Sequence, residues 1–489
     1  MNRKRRAGTL ILIAVLSLPA ILGGVADRTD AFARGALYPT EWTEQAKLTP
    51  SRGAAHAYFG YSLSIDGDFA IVGAVGENDH AGAAYVFMWN GAQWTEQARL
   101  TASDREAGDN FGYSVSISGD TAIIGAMGDA DNGPNAGAAY IFVRNGSEWA
   151  EQAKLTAADG AQGDHFGWRV AISENTVLVG AVEADDLSGN SGAVYVFVRD
   201  EGTWIQTQKL TPDNDAASDD FGGSISLRAD YAIIGAKAQP DEFGNFSGSA
   251  YVFAYDGDVW VEQAILTAPN GTTSDRFGYS VAMGDGYAMV GAIGDDKNGG
   301  FSGAAYAFVR NGDTWTQEAR LTASDGALLH RFGFSLSVSG STAVIGAIGS
   351  DGHRPSSGAA YVFVRNAGVW VEDLKITASD GDEEDQFGYS VSLSGGTALI
   401  GAARDNDNGD HSGSAYVFQG PTPPPTETPR PTATPTCTPT ATPAMLTATP
   451  TMPPRLNYLP LIARQWRTSA GLSPPQRRKP LRRLVPKSD

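Results

Sequence analysis

Phe111-Gly-Tyr-Ser-Val-Ser-Ile117, Thr121-Ala-Ile-Ile-Gly-Ala126, Ala138-Ala-Tyr-Ile-Phe-Val143 and Trp149-Ala-Glu-Gln-Ala-Lys-Leu-Thr156 follow one another in the second of seven near-copies of one unit. The first stretch alternates large apolar with small residues and the next two are apolar throughout, so all three read as strands covered on both faces. The fourth mixes apolar positions with Glu and Lys, which suits an outer edge strand that must not pair with another molecule. The Phe-Gly opening recurs at Phe59, Phe111, Phe166, Phe221, Phe277, Phe332 and Phe387, at intervals of 52 to 56 residues. A Gly-Ala pair stands 14 residues after each Phe and a Trp 17 before it, from Trp42 to Trp370. Length varies only between the Gly-Ala pair and the next Gly-x-x-Tyr box, as expected of a solvent-facing loop on a fixed scaffold.

Seven such units predict an all-β, seven-bladed β-propeller of four-stranded antiparallel blades over residues 34–419. The Trp strand of residues 42–49 precedes the first Phe-Gly, whereas nothing equivalent follows Phe418. The N-terminal strand is therefore expected to complete the last blade and remove the open edge of a linear array.

Strand parity places the loops. The turns between strands 1 and 2, such as Ser118–Thr121, and between strands 3 and 4 are short and share one end of the ring. The strand 2–3 loops and the blade-to-blade connections are long and share the other. Those segments hold Asp129, Asp131, Asp295, Asp296, Asp405, Asp407 and Asp410 in the loops, and Asp104, Asp109, Asp159, Asp164, Asp219, Asp275, Asp380 and Asp385 in the connections. One face is expected to be crowded with carboxylates. The chain's net charge of −19 divides into +3 for residues 1–33 and +8 for residues 455–489, leaving −30 between them. That balance disfavours nucleic acid and favours cations or basic ligands. Asp405-x-Asp407-x-Gly409-Asp410 offers oxygens at alternate positions, an arrangement calcium uses; Asp, Asn and Gly equally form turns and keep a domain soluble.

The Phe-Gly, Gly-Ala and Gly-x-x-Tyr-x-Phe boxes resemble the FG-GAP repeats of integrin alpha-chain propellers and of secreted bacterial proteins, over roughly residues 42–418. The resemblance implies ligand binding and adhesion. Two features depart from it. The Pro that would follow Gly-Ala is replaced by Val75, Met127, Val182, Lys237, Ile293, Ile348 and Ala403. The strand 1–2 turn is too short for the family's calcium loop, so those ligands do not carry over.

Catalytic patterns are scarce: the six His show neither His-x-His nor His-Glu-x-x-His spacing, and an enzyme is not expected. The largest strand deviation is Trp168-Arg169, where other units have an aromatic followed by Ser, with Gly223 in the Trp168 position of the next blade. It reads either as volume compensation across a blade interface or as a ligand contact by Arg169.

Residues 1–33 read as an export signal, a basic start followed by an apolar run and Ala31-Phe-Ala33; retained, the uncharged run from Ala7 to Ala26 would instead anchor the chain in a membrane. Residues 420–454 form a Thr/Pro spacer, and residues 455–489 a basic tail with the apolar box Leu456–Ile462, suited to association with the cell envelope. Cys437 is the sole cysteine, so no disulfide forms within the chain. These features together predict a monomeric, secreted or cell-surface protein whose acidic loop face, for example Asp104, Asp159, Arg169 and Asp380, binds an extracellular protein or polysaccharide. A structural envelope component without a discrete ligand, or an extracellular enzyme, is the alternative.

Overall fold

The computed structural model describes residues 41–185, 189, 191–212, 220–238, 247–269 and 271–421. Its strands form seven four-stranded antiparallel sheets. In blade two the strands run Phe111–Ser118, Thr121–Ala126, Ala138–Asn145 and Glu148–Leu155, within two residues of the sequence reading. The third strand outruns that reading because Arg144 and Asn145 continue the ladder opposite Trp149 and Glu148. The innermost strand of every blade borders the innermost strands of both neighbours, blade seven meeting blade one. Seven wedges thus enclose an axis.

The N-terminal strand closes the ring. Thr43–Leu48 pairs antiparallel with Ser414–Gln419, Lys47 opposite Tyr416 and Leu48 opposite Ala415. Beyond the ladder, the Glu44 carboxylate accepts hydrogen bonds from the Ser379 amide and hydroxyl, each at 3.1 Å. A strand from one end of the polypeptide is thereby built into a sheet from the other.

Each blade buries the same aromatic cluster. Phe111 meets Tyr140 and Phe142 with ring centroids 5.5 and 6.1 Å apart, and the pattern repeats around the ring to Phe387 with Tyr416 and Phe418. Such edge-on contacts suit the aromatic quadrupole, and the burial itself supplies most of the cohesion. Glycine is required where blades touch. Gly137 has φ 83° and bridges Phe166 of the next blade, and a Cβ there would stand 2.1 Å from the Phe166 carbonyl oxygen.

The expected export signal, the Thr/Pro spacer beyond Pro421, the basic tail of residues 455–489 and Asp219 lie outside the described residues. Among the described residues no helix is long and apolar enough to cross a membrane.

Candidate functional site

The loop face is built around a carboxylate hub in six of the seven blades, clearest in blade two. Asp129, four residues after Gly125, is almost wholly buried. Its Oδ1 accepts the Asp131 amide at 3.2 Å and its main-chain oxygen accepts the Gly137 amide at 2.9 Å, which folds the loop back on itself. Its Oδ2 lies 2.8 Å from the Tyr140 hydroxyl, which is also 2.8 Å from Asp104 Oδ1 of the preceding connection. Directly opposite Tyr140 in the ladder stands Lys154 of the outer strand. Its Nζ reaches Asp104, Asp129 and Asp131 at 2.8, 2.7 and 2.6 Å. Burial alone would lower the Lys154 pKa, but the three carboxylates outweigh it and hold the ammonium above its ordinary value. The place a bound cation would take among these acids is held by the protein's own lysine.

The hub recurs with compensating changes. Blade seven repeats it with Lys47 on Asp380, Asp405 and Asp407. Blades one and five have no acid at the connection position (Arg52, Asn270), and there an arginine takes the lysine's place: Arg99 on Glu77 and Arg320 on Asp295, the Nε contact being 3.0 Å in both. Blades three and six have no acid at the loop position (Ala184, Ser350), and the lysine falls on the connection acid, Lys209 on Asp159 and Lys375 on Asp325. In blade four the sequence has Asn214 and Gln239 at the two acidic positions, and the cation position is Ile265. Charge on the outer strand follows charge on the loops.

This arrangement redistributes the carboxylates expected to meet a ligand or a metal. Asp104, Asp129, Asp131, Asp159, Asp295, Asp380, Asp405 and Asp407 all sit on an internal cation. Burial would raise the pKa values of Asp104, Asp159, Asp295 and Asp380, yet the ammonium or guanidinium and the tyrosine hydroxyl bring each below its usual value. Asp109, Asp164, Asp275 and Asp385 are buried as well, each accepting the amide three residues earlier. They shape the connections. Asp296 is exposed, and Asp410 parts from Asp405 and Asp407 to face His56, 3.5 Å away.

The axis is different in character. The residue two after each Phe points to it, giving Tyr61, Tyr113, Trp168, Gly223, Tyr279, Phe334 and Tyr389 around a cavity of about 320 Å³. Neighbouring rings lie 4.9 to 5.1 Å apart from Trp168 through Tyr113, Tyr61, Tyr389 and Phe334 to Tyr279. Gly223 breaks this series. Trp168 leans on Tyr113, on the side of blade two, so its added volume goes there, and the place beside Gly223 is approached instead by Lys237, whose Nζ would stand 3.7 Å from a Cβ on that glycine. In most other blades the next residue is a serine whose hydroxyl donates to the next blade's glycine carbonyl, as Ser62 does to Gly112 and Ser280 to Gly333. Arg169 replaces it in blade three. Its guanidinium lies 5.5 Å from the Tyr113 ring centroid and donates to the Trp168 carbonyl at 3.0 Å. No carboxylate among the described residues forms an ion pair with it. Burial pushes the Tyr61, Tyr113, Tyr279 and Tyr389 hydroxyls upward, and the Arg169 charge, felt at all four, pulls each back. Lys237, also on the cavity wall, is held by Asp220 at 3.1 Å.

Sequence reasoning missed the hub because it took the outer-strand Lys and Arg as edge protection. The cation five residues after each Trp changes in step with the acids on the two loop positions, and that signal was present in the seven units. The FG-GAP repeat family model matches seven segments, residues 42–87, 94–142, 149–197, 204–253, 260–308, 315–363 and 370–418. No curated protein matches the chain.

Proposed function

The chain belongs to the FG-GAP repeat family, and on that premise we propose that it is a secreted or cell-surface binding protein recognising an extracellular ligand at the axis of its loop face, inside the acidic rim. One observation carries the reading: the repeat breaks at the axial cavity, where Arg169 and Gly223 replace a serine and an aromatic. The rim is a poorer candidate, because most of the acids expected there already hold an internal lysine or arginine. A guanidinium without a carboxylate partner favours an anion, and a carboxylate can meet it through two parallel hydrogen bonds. The surrounding rings favour the flat face of a ring-bearing ligand. The cavity's volume is at the small end of ligand sites. A carboxylated polysaccharide, presenting one uronic-acid unit to the cavity, combines these requirements. The apparent export segment and the basic tail support action outside the cell, in adhesion to such a polymer.

The test is to screen the purified protein on arrays of acidic glycans, neutral glycans and matrix proteins, with R169S and G223Y alongside. Both variants restore residues that other blades carry at those positions, so both are expected to fold. Acidic glycans should be retained by the parent and weakened at least about tenfold by R169S, the loss expected for a charge-assisted contact. Arrays left blank by the parent would favour a structural envelope role. Retention on a matrix protein that R169S leaves unchanged would place recognition elsewhere on the face.

A further inference from the structure

Six histidines scattered through the sequence gave no metal motif, yet closure of the ring brings two of them together with a carboxylate. His56 lies in the connection entering blade one, and Asp410 and His411 in the strand 2–3 loop of blade seven. His56 Nε2 stands 3.5 Å from Asp410 Oδ2, and His411 Nε2 stands 3.9 Å from Asp410 Oδ1. One ligand atom from each of the three lies within 4.8 Å of the others.

The backbone fixes this meeting. The His56 amide donates to the Asp410 carbonyl at 2.6 Å and the Tyr58 amide to the His411 carbonyl at 3.1 Å. The His411 amide in turn donates to Asn406 Oδ1 at 2.8 Å. The Tyr58 ring stacks on the His411 imidazole at 5.7 Å. The same backbone stitch recurs at other joints, from Gly108 to Asp79, Gly163 to Pro134 and Leu329 to Gly300. Those joints hold glycine or leucine in the His56 place, and none of them combines two imidazoles with a carboxylate.

We propose that His56, Asp410 and His411 form a site for a divalent transition-metal ion, zinc foremost, that staples blade seven to blade one. Two imidazoles and a carboxylate suit zinc, copper or nickel rather than calcium, which prefers an all-oxygen shell. Around tetrahedral zinc, ligand atoms stand about 3.4 Å apart. The two distances to Asp410 lie near that value, and the separation of the two imidazoles, within 4.8 Å between ligand atoms, is to shorten by rotation of the side chains. Three protein ligands leave the fourth position to water. The site lies at the one joint where the chain's two ends must stay together, so an ion there opposes opening of the ring. This site does not depend on the axial ligand.

The test uses the whole, tag-free protein, stripped with a chelator and melted with and without about 100 μM zinc. The melting temperature is expected to rise by about 2 °C or more, as for any ligand that binds only the folded state. Equilibrium dialysis should count one zinc ion per chain. His56 and His411 have φ of 61° and 49°, a region asparagine tolerates, so H56N and H411N are chosen to preserve the fold. Each should melt like the parent in chelator and lose both the zinc shift and the bound ion. A parent that neither binds nor shifts overturns the proposal, and so does a shift or a bound ion that survives H56N and H411N. An equal calcium shift retained in both variants overturns it as well, since carboxylates alone would then be responsible.

Discussion

Blades two and four share a four-stranded sheet and an aromatic cluster, yet they treat charge in opposite ways. In blade two Lys154 is enclosed by Asp104, Asp129 and Asp131. In blade four the residue opposite Tyr251 is Ile265, 44% exposed, and neither acidic position carries an acid in the sequence. Cation and acids are present together or absent together, which is what electrostatics demands at a half-buried position. A lone ammonium or a lone cluster of carboxylates there is costly, whereas a complete set or an apolar substitute is tolerated. Part of the acidity of the loop face thus serves the structure.

Breaking the set in blade two should give the largest effect. K154M keeps the length of the side chain but leaves Asp129, 4% exposed, facing two other carboxylates without a cation. Removal of one partner from a buried pair costs several kcal/mol, moderated here by the exposure of Asp104 and Asp131. A loss of about 3 kcal/mol in denaturant unfolding at neutral pH is expected. A loss below about 0.5 kcal/mol, the range of ordinary surface substitutions, would show that the acids are stable without the lysine.

Completing the conversion sharpens the contrast. The triple variant D104N/D129Q/K154I gives blade two the blade-four residues at all three positions. Because only Asp131, whose side chain is 67% exposed, then lacks its lysine, it should recover most of the stability that K154I loses by itself, ending within about 1 kcal/mol of the parent. A triple variant no more stable than K154I would mean that the seven units vary independently and that the coupling is accidental.

The seven units disclosed the fold readily because the features that define a blade are local and repeated. Strand alternation, two-residue turns such as Gly119-Asp120 and the fixed Phe-Gly offset each report on neighbours in sequence. Even ring closure was legible, from a Trp strand too many at one end and too few at the other. The site was not. Lys154 is 50 residues from Asp104, and His56 is more than 350 from His411. Nothing within a single unit says that either pair will meet. Arg169 and Gly223 stood out as deviations, but whether Trp168 would fill the space left at Gly223 depended on which way its ring turned.

The contrast between paired and unpaired acids also exists within one connection of blade seven, and there pH can read it. Asp380 pairs with Lys47 and is held below its usual pKa, while Asp385, five residues on, has only the Asp382 amide at 2.6 Å and is pushed up by burial to about 6, with Asp405 and Asp382 adding to the rise. The signs oppose. For Asp380 the folded value lies below the unfolded one, so its contribution is present above the ordinary carboxylate range and is lost as pH falls through the depressed value. For Asp385 the folded value lies above the unfolded one, so ionisation costs stability above pH 6, and that cost fades between about pH 6 and 4. D385N keeps an acceptor for the Asp382 amide and removes the ionisation. It should gain on the parent at pH 7.5, by about 1 kcal/mol after allowance for solvent screening, and lose that advantage at pH 4. The difference between the two pH values isolates the charge from any packing change made by the amide. Thermal melts with the same offset at both would mean that Asp385, like Asp380, has a partner for its charge.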